Sequence, residues 1–168
     1  MIPSWAKNES AGVKAINARA ETLAEKPFFR SAFGKRRCLI PASGFYEWQK
    51  TGKAKQPYFI YPLGGELFAF AGLWERWTKS VEPVESCTII TTAANETMQA
   101  LHERMPVILS PESFNAWLDL STAKTALQEL LHPCPADSLS LHPVDVRVGN
   151  VRNQGPELIA PAADFFTA

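Results

Sequence analysis

Four short segments of this chain place polar side chains inside otherwise apolar stretches. In Ile16-Asn17-Ala18-Arg19-Ala20-Glu21-Thr22, Asn17 and Arg19 stand two apart and share one face of an extended backbone. The alternative is a turn Asn followed by a solvated Arg and a helix cap. In Gly44-Phe45-Tyr46-Glu47-Trp48 a carboxylate sits among large aromatics. Poor solvation there would raise its pKa and suit it to acid or base work near neutral pH. The same Glu also suits an edge strand, pointing to water beside Lys50. In Leu101-His102-Glu103-Arg104-Met105-Pro106, His102 offers a group that changes charge near neutral pH, and Arg104 a fork that matches phosphate. A lone His serves equally as a structural hydrogen bonder. In Val148 to Gly155 two glycines bracket amides and Arg152. Backbone N–H groups there could hold an anion, or the segment is simply a turn.

The elements that must carry these residues are mostly strands. Cys38 to Trp48, Pro57 to Tyr61, Leu67 to Trp74 and Cys87 to Thr92 are short and rich in β-branched and aromatic residues. Met105 to Leu109 and Leu139 to Val144 are shorter candidates. Thr51-Gly52-Lys53 and Gly64-Gly65 signal hairpin turns between the first three. Helical spacing runs over Ala20 to Phe33, with Pro27 as an interruption. Asn95 caps a helix expected over Glu96 to His102. Ser110-Pro111-Glu112 opens another, to about Leu118, and Ser121 a third, to about Leu131, stopped by Pro133. Helices inserted between blocks of strands, not alternating with them, give an α+β class with a mainly antiparallel sheet, in a single domain over residues 1–168.

Composition bounds the function. The 168 residues are 46% hydrophobic and 20% charged, as for a globular chain with a proper core. No apolar run approaches the ~20 residues of a membrane helix, and MIPSWAKNES lacks the layout of a signal peptide. Cys38, Cys87 and Cys134 form no CxxC, and His102, His132 and His142 no HxxxH, so neither a metal site nor a disulfide framework is expected. Free thiols without a signal give a cytoplasmic expectation. The formal net charge is zero, yet up to Lys55 there are 11 Lys/Arg against 4 Asp/Glu, and 6 against 13 thereafter. A basic front half suggests a polyanionic partner, unless the two halves mix their charges on folding.

Taken in order, INARAET, RRCLIPASGFYEW, TTAANETMQALHERMPVIL and HPVDVRVGNVRNQGPELI closely resemble the SRAP family, the SOS response associated peptidases that process abasic sites in single-stranded DNA. The likeness runs from Ile2 to about Ile159. It implies a SRAP-like fold, a mainly antiparallel sheet or barrel with a few flanking helices. It also implies a role in the DNA-damage response, with an abasic single strand as partner, no membrane, no cofactor, no metal and a monomeric state.

In that family an abasic site opens to an aldehyde, and the amine and thiol of a terminal cysteine close on it as a thiazolidine. By resemblance, Asn17 positions the sugar and the terminal amine, Glu47 shuttles protons, and His102 assists ring opening and Schiff-base steps. Arg19 and Arg104 correspond to arginines that grip the DNA backbone. Trp5 lies in a segment that stacks beside the nucleotide, and Thr91 is a weaker polar contact. Asn17, Glu47 and His102 are expected to converge from three elements on one cleft.

The family's Cys-Gly-Arg-Phe-like start precedes the point where this sequence opens, at Met1-Ile2-Pro3, so its N-terminal strands are expected to be missing. None of the three cysteines here is terminal, which removes the thiazolidine step for the chain as written and leaves a hydrolysable imine at Met1 as the available adduct. Lost strands would expose the apolar face of LFAFAGLW. The alternatives are a single-stranded DNA-binding module without covalent capture, and a hydrolase or peptidase built on Cys38, His102 and Glu47, which needs an accessible, activated Cys38.

Overall fold

The β-branched and aromatic runs become eight strands: β1 (Asn17–Arg19), β2 (Arg37–Ala42), β3 (Phe45–Thr51), β4 (Ala54–Pro62), β5 (Phe68–Trp77), β6 (Val84–Ala93), β7 (Arg104–Pro106) and β8 (Leu139–Pro143). The computed structural model describes residues 1–52, 54–65 and 67–162. They divide into two compact units, each assembled from three separate stretches of chain. The first takes Met1–Pro41, Ala69–Ala93 and Arg104–Cys134; the second takes Ala42–Phe68, Ala94–Glu103 and the chain from Pro135 onward.

The first unit holds a five-stranded sheet of order β1-β6-β5-β2, with β7 also paired to β6. β1 runs parallel to β6, with Asn17 opposite Ile89 and Arg19 opposite Thr91. β5 and β7 both run antiparallel to β6. The second unit holds the antiparallel sheet β3-β4-β8. The α+β class with mainly antiparallel pairing therefore stands.

Two details differ from the sequence expectation. Cys38 to Trp48 is not one strand: it breaks at Ser43-Gly44, and β2 and β3 belong to different sheets. Gly44 is needed there, because a Cβ would run into the Phe59 ring and lie 2.6 Å from the Ile60 carbonyl oxygen. Gly64 and Gly65 do make a turn, with φ of +106° and +79°. It is not a hairpin, since β4 and β5 enter different sheets. The turn at Gly52 (φ +61°) is one, with Thr51 opposite Ala54; its other signal residue, Lys53, lies outside the described residues.

The helices are shorter than their periodic patterns: α1 (Arg30–Lys35), α2 (Glu96–Gln99), α3 (Phe114–Leu118) and α4 (Lys124–Glu129). Ala20 to Phe33 yields a 3₁₀ turn at Ala20–Thr22, and α1 starts only after Pro27. Asn95 caps α2 as expected, its Oδ1 accepting the Met98 N–H at 3.0 Å, but the helix stops before His102. Ser121 does not cap α4. Its N–H and hydroxyl both go to Asp119 Oδ1 at 2.8 Å, and the helix begins at Lys124.

The core of the first unit gathers Leu23, Phe29, Phe33, Leu73, Ile90, Val107, Trp117 and Leu127. Phe68, Phe70, Ala71 and Leu73 of the LFAFAGLW stretch are buried, so its expected exposure is confined to Leu67 and Trp74. Gly72 makes this possible on its own strand. The side chains of Ile40 and Cys38 lie 2.7 and 2.9 Å from where its Cβ would be. Arg37 is buried as a cap for two helix ends. Its guanidinium donates to the carbonyls of Phe33 (2.7 Å), Gly34 (3.1 Å), Trp117 (2.5 Å) and Asp119 (2.7 Å), which α1 and α3 leave without helical partners. In the second unit Phe59, Ile60, Phe68, Met98, Leu139, Val144 and Leu158 are buried.

Candidate functional site

In the first unit, β1 presents Asn17 and Arg19 on its exposed face while Ala18 turns into the core. The two-residue spacing read from the sequence thus produces the shared face. Parallel pairing sets Arg19 level with Thr91 on β6, and the Thr91 hydroxyl donates to the Ala18 carbonyl at 3.4 Å. Arg104 enters the same neighbourhood from β7. Its Nη2 donates to the Thr91 carbonyl at 2.6 Å, and its Nε reaches Thr91 Oγ1 at 3.4 Å. Four of the residues expected at the site, Asn17, Arg19, Thr91 and Arg104, therefore cluster on neighbouring strands.

The cluster contains a fifth residue that the sequence did not assign. Glu21 holds the Arg104 guanidinium in a two-pronged ion pair, Oε1 to Nη1 at 2.8 Å and Oε2 to Nη2 at 3.0 Å. The hydrogen bond from Arg104 holds the Glu21 carboxyl below its ordinary range, and the charges of Arg104 and Arg19 act in the same direction. A cavity of about 180 Å³ opens beside it, bounded by Ala20, Glu21, Thr92, Gln128 and Leu131. No spacing rule links positions 83 residues apart; only the parallel β1–β6 pairing together with the antiparallel β6–β7 pairing could have revealed the partner.

Trp5 also belongs to the first unit. It is 56% exposed and meets Phe28 edge-to-face at 5.3 Å, which leaves ring surface open. Lys79 Nζ fixes its backbone by donating to the Trp5 carbonyl at 2.9 Å. The α-amino group of Met1 donates to the Ala15 carbonyl at 2.8 Å, and burial lowers its pKa.

Glu47 and His102 lie in the second unit. Glu47 is half-buried on β3, and its Oε1 accepts the Trp48 N–H at 3.0 Å. The aromatic setting differs from the sequence reading. Tyr46 and Trp48 alternate to the other sheet face, where Tyr46 meets Phe59 at 5.5 Å and Trp48 at 6.5 Å. Glu47 instead has Tyr58 directly across the strand pair. His102 follows α2, its N–H bonded to the Met98 carbonyl at 2.9 Å, and its side chain is exposed. The Gln49 amide donates to the Ala100 carbonyl at 3.2 Å, tying β3 just beyond Glu47 to the segment just before His102.

The glycine-bracketed segment from Val148 is a chain of turns. Arg147 N–H goes to Asp145 Oδ1, Asn150 N–H to the Arg147 carbonyl and Arg152 N–H to Asn150 Oδ1. These donors are used internally, which favours the turn over the anion cradle. The cysteines separate cleanly. Burial pushes the Cys38 thiol up to about 11, with Cys87 adding to the shift; Cys87 is exposed and Cys134 buried. A thiol raised this far is a poor nucleophile near neutral pH, against a hydrolase built on Cys38. The basic front half is partly neutralised, since Arg36 pairs with Glu75 at 2.7 Å and Arg37 is enclosed. Lys7, Arg19, Lys26, Arg30, Lys35, Lys50 and Lys55 remain exposed. Among the described residues, no three His, Cys, Asp or Glu side chains are grouped to hold a metal, and no helix is long and apolar enough to cross a membrane.

Fold and site together define an α+β protein with a strand-borne cluster of amide, arginine and acid. The chain belongs to the SOS response associated peptidase (SRAP) family, whose model matches residues 1–151. It is 49% identical over 162 residues to the abasic site processing protein YoqW of Bacillus subtilis, covering 95% of this chain and 72% of that protein. It is 46% identical to the abasic site processing protein YoaM of the same organism, over 95% of this chain and 71% of the relative. A crystal structure of a Bacteroides thetaiotaomicron protein superposes with a TM-score of 0.89 at 32% identity, over 96% of this chain and 74% of that one.

Proposed function

We propose that the chain processes abasic sites, binding single-stranded DNA at a lesion whose sugar has opened to an aldehyde. The observation that supports this best is the clustering of Asn17, Arg19, Thr91 and Arg104 on adjoining strands. There Asn17 and Arg19 share the exposed face of β1 and Arg104 is bonded to Thr91 opposite Arg19, in a family whose relatives carry this activity in their names. Asn17 is the group that orients the sugar by hydrogen bonding. Arg19 and Arg104 neutralise flanking phosphates, and the open ring of Trp5 stacks on a base. Glu47 moves protons to and from the aldehyde carbon's substituents, and His102 assists opening of the sugar ring.

The family's covalent tether needs an amine and a thiol on adjacent carbons. Burial holds Cys38 as the thiol, which weighs against its use as the nucleophile. The test is a denaturing gel after incubation with an abasic oligonucleotide, with and without borohydride. A band only after reduction reports an amine adduct. No band, with binding retained in a native gel, reports capture without a bond. Glu47→Gln and His102→Ala should change adduct yield by tenfold or more, of the order ascribed to general acid–base groups, while melting is almost unmoved. Affinity should fall steeply with salt, because arginines replace counterions. Equal binding of abasic and intact strands would overturn the proposal.

A further inference from the structure

We infer that Glu21 is a built-in stand-in for DNA phosphate, occupying the fork of Arg104 until a phosphodiester displaces it. This deepens the reading above and rests on it. Arg104 bonds both Thr91 and Glu21, and its Nη2 serves both. Thr91 accepts from Nη2 at its carbonyl (2.6 Å) and from Nε at its hydroxyl (3.4 Å). Glu21 accepts from Nη1 at 2.8 Å and from Nη2 at 3.0 Å, in the parallel two-bond arrangement that a phosphate also makes.

The two partners differ in exposure. The Arg104 side chain is 16% exposed, whereas that of Glu21 is 52% exposed. Glu21 can therefore swing into water while Thr91 keeps the guanidinium aimed. Arg19 adds a second positive charge to the field on the Glu21 carboxyl, so an anion arriving in its place would feel both arginines. An ion pair this exposed is weak, which makes it exchangeable. In the resting protein Glu21 leaves Arg104 neutralised towards random polyanions and costs some affinity for the correct one.

The experiment compares the protein with Glu21→Gln, which keeps the shape and removes the charge. The DNA probe is a single-stranded oligonucleotide bearing one unreactive tetrahydrofuran abasic analogue. The variant should bind about three- to tenfold more tightly. Its plot of log affinity against log salt should steepen by about 0.7, one further phosphate neutralised on a single strand. A merely structural ion pair would lower the melting temperature and leave the salt slope alone.

A second arm uses inorganic phosphate and no DNA. In the unaltered protein, the NMR signals of the Glu21 carboxyl carbon and Arg104 Nε should move together with one midpoint as phosphate rises. Exchange at Glu21 stands, and the DNA reading falls, if phosphate does this but neither protein binds the oligonucleotide. If DNA binds both proteins equally, or the variant more weakly, the stand-in role is overturned and the DNA reading survives. If the variant does not fold, the phosphate arm decides alone, and unmoved signals overturn the inference.

Discussion

At the scale of single residues, what matters is which polar groups are already spent. Arg37 looks from the sequence like a cation of the basic front half, yet four backbone carbonyls consume it. Arg36 is paired with Glu75. Arg19, by contrast, is exposed on β1, while Arg104 on β7 is held by Thr91 and Glu21. The cysteines sort by the same criterion. With its pKa near 11, about a thousandth of Cys38 is thiolate at pH 8. Iodoacetamide at that pH, followed by peptide mass spectrometry, should label the exposed Cys87 first. Cys38 should react more slowly by an order of magnitude or more until the protein unfolds or the pH nears 11. Preferential labelling of Cys38 would restore the hydrolase reading.

At the scale of elements, Gly44 decides where β2 ends and β3 begins. A methyl group there would overlap the Phe59 ring and crowd the Ile60 carbonyl, and both belong to β4. Gly44→Ala should cost about 1–3 kcal/mol, the usual range for overpacking, read as a lower urea midpoint at unchanged slope. The sequence made most strands legible, because alternation and β-branching are local signals. The Asn95 cap was legible for the same reason. The split at Ser43-Gly44 was not, since an apolar run carries no mark of which sheet each half joins. Helix lengths failed because periodicity does not see competing bonds such as those of Ser121 to Asp119. Of the site, Asn17 and Arg19 were readable as a pair, whereas Glu21 with Arg104 depended on a parallel strand pairing that no local pattern encodes.

At the scale of the whole molecule, each unit is woven from three stretches, so neither can be cut out as one continuous segment. Sheet β3-β4-β8 takes its last strand from the far end of the chain, where Leu141 pairs with Ile60 and His142 with Phe59. His142 is bound into this arrangement, 5.3 Å from the Tyr61 ring and 2.8 Å from the Ile159 carbonyl. A chain ending at Cys134 would lose β8 and leave β4 with an open edge. It should be mostly insoluble or should lose the protection of the β4 amides in hydrogen exchange. Full protection of those amides in the shortened chain would show that β8 is dispensable.

That late-arriving strand also governs how the protein can be born. On the ribosome, β3 and β4 emerge long before Leu139–Pro143, and the hairpin must wait with one side unzipped while the intervening chain is translated. Completion of the β3-β4-β8 sheet therefore waits for Leu139–Pro143 and is set by long-range closure rather than by local turns. A codon-level slowdown or a ribosome stall upstream of Leu139 would lengthen the life of an aggregation-prone nascent edge.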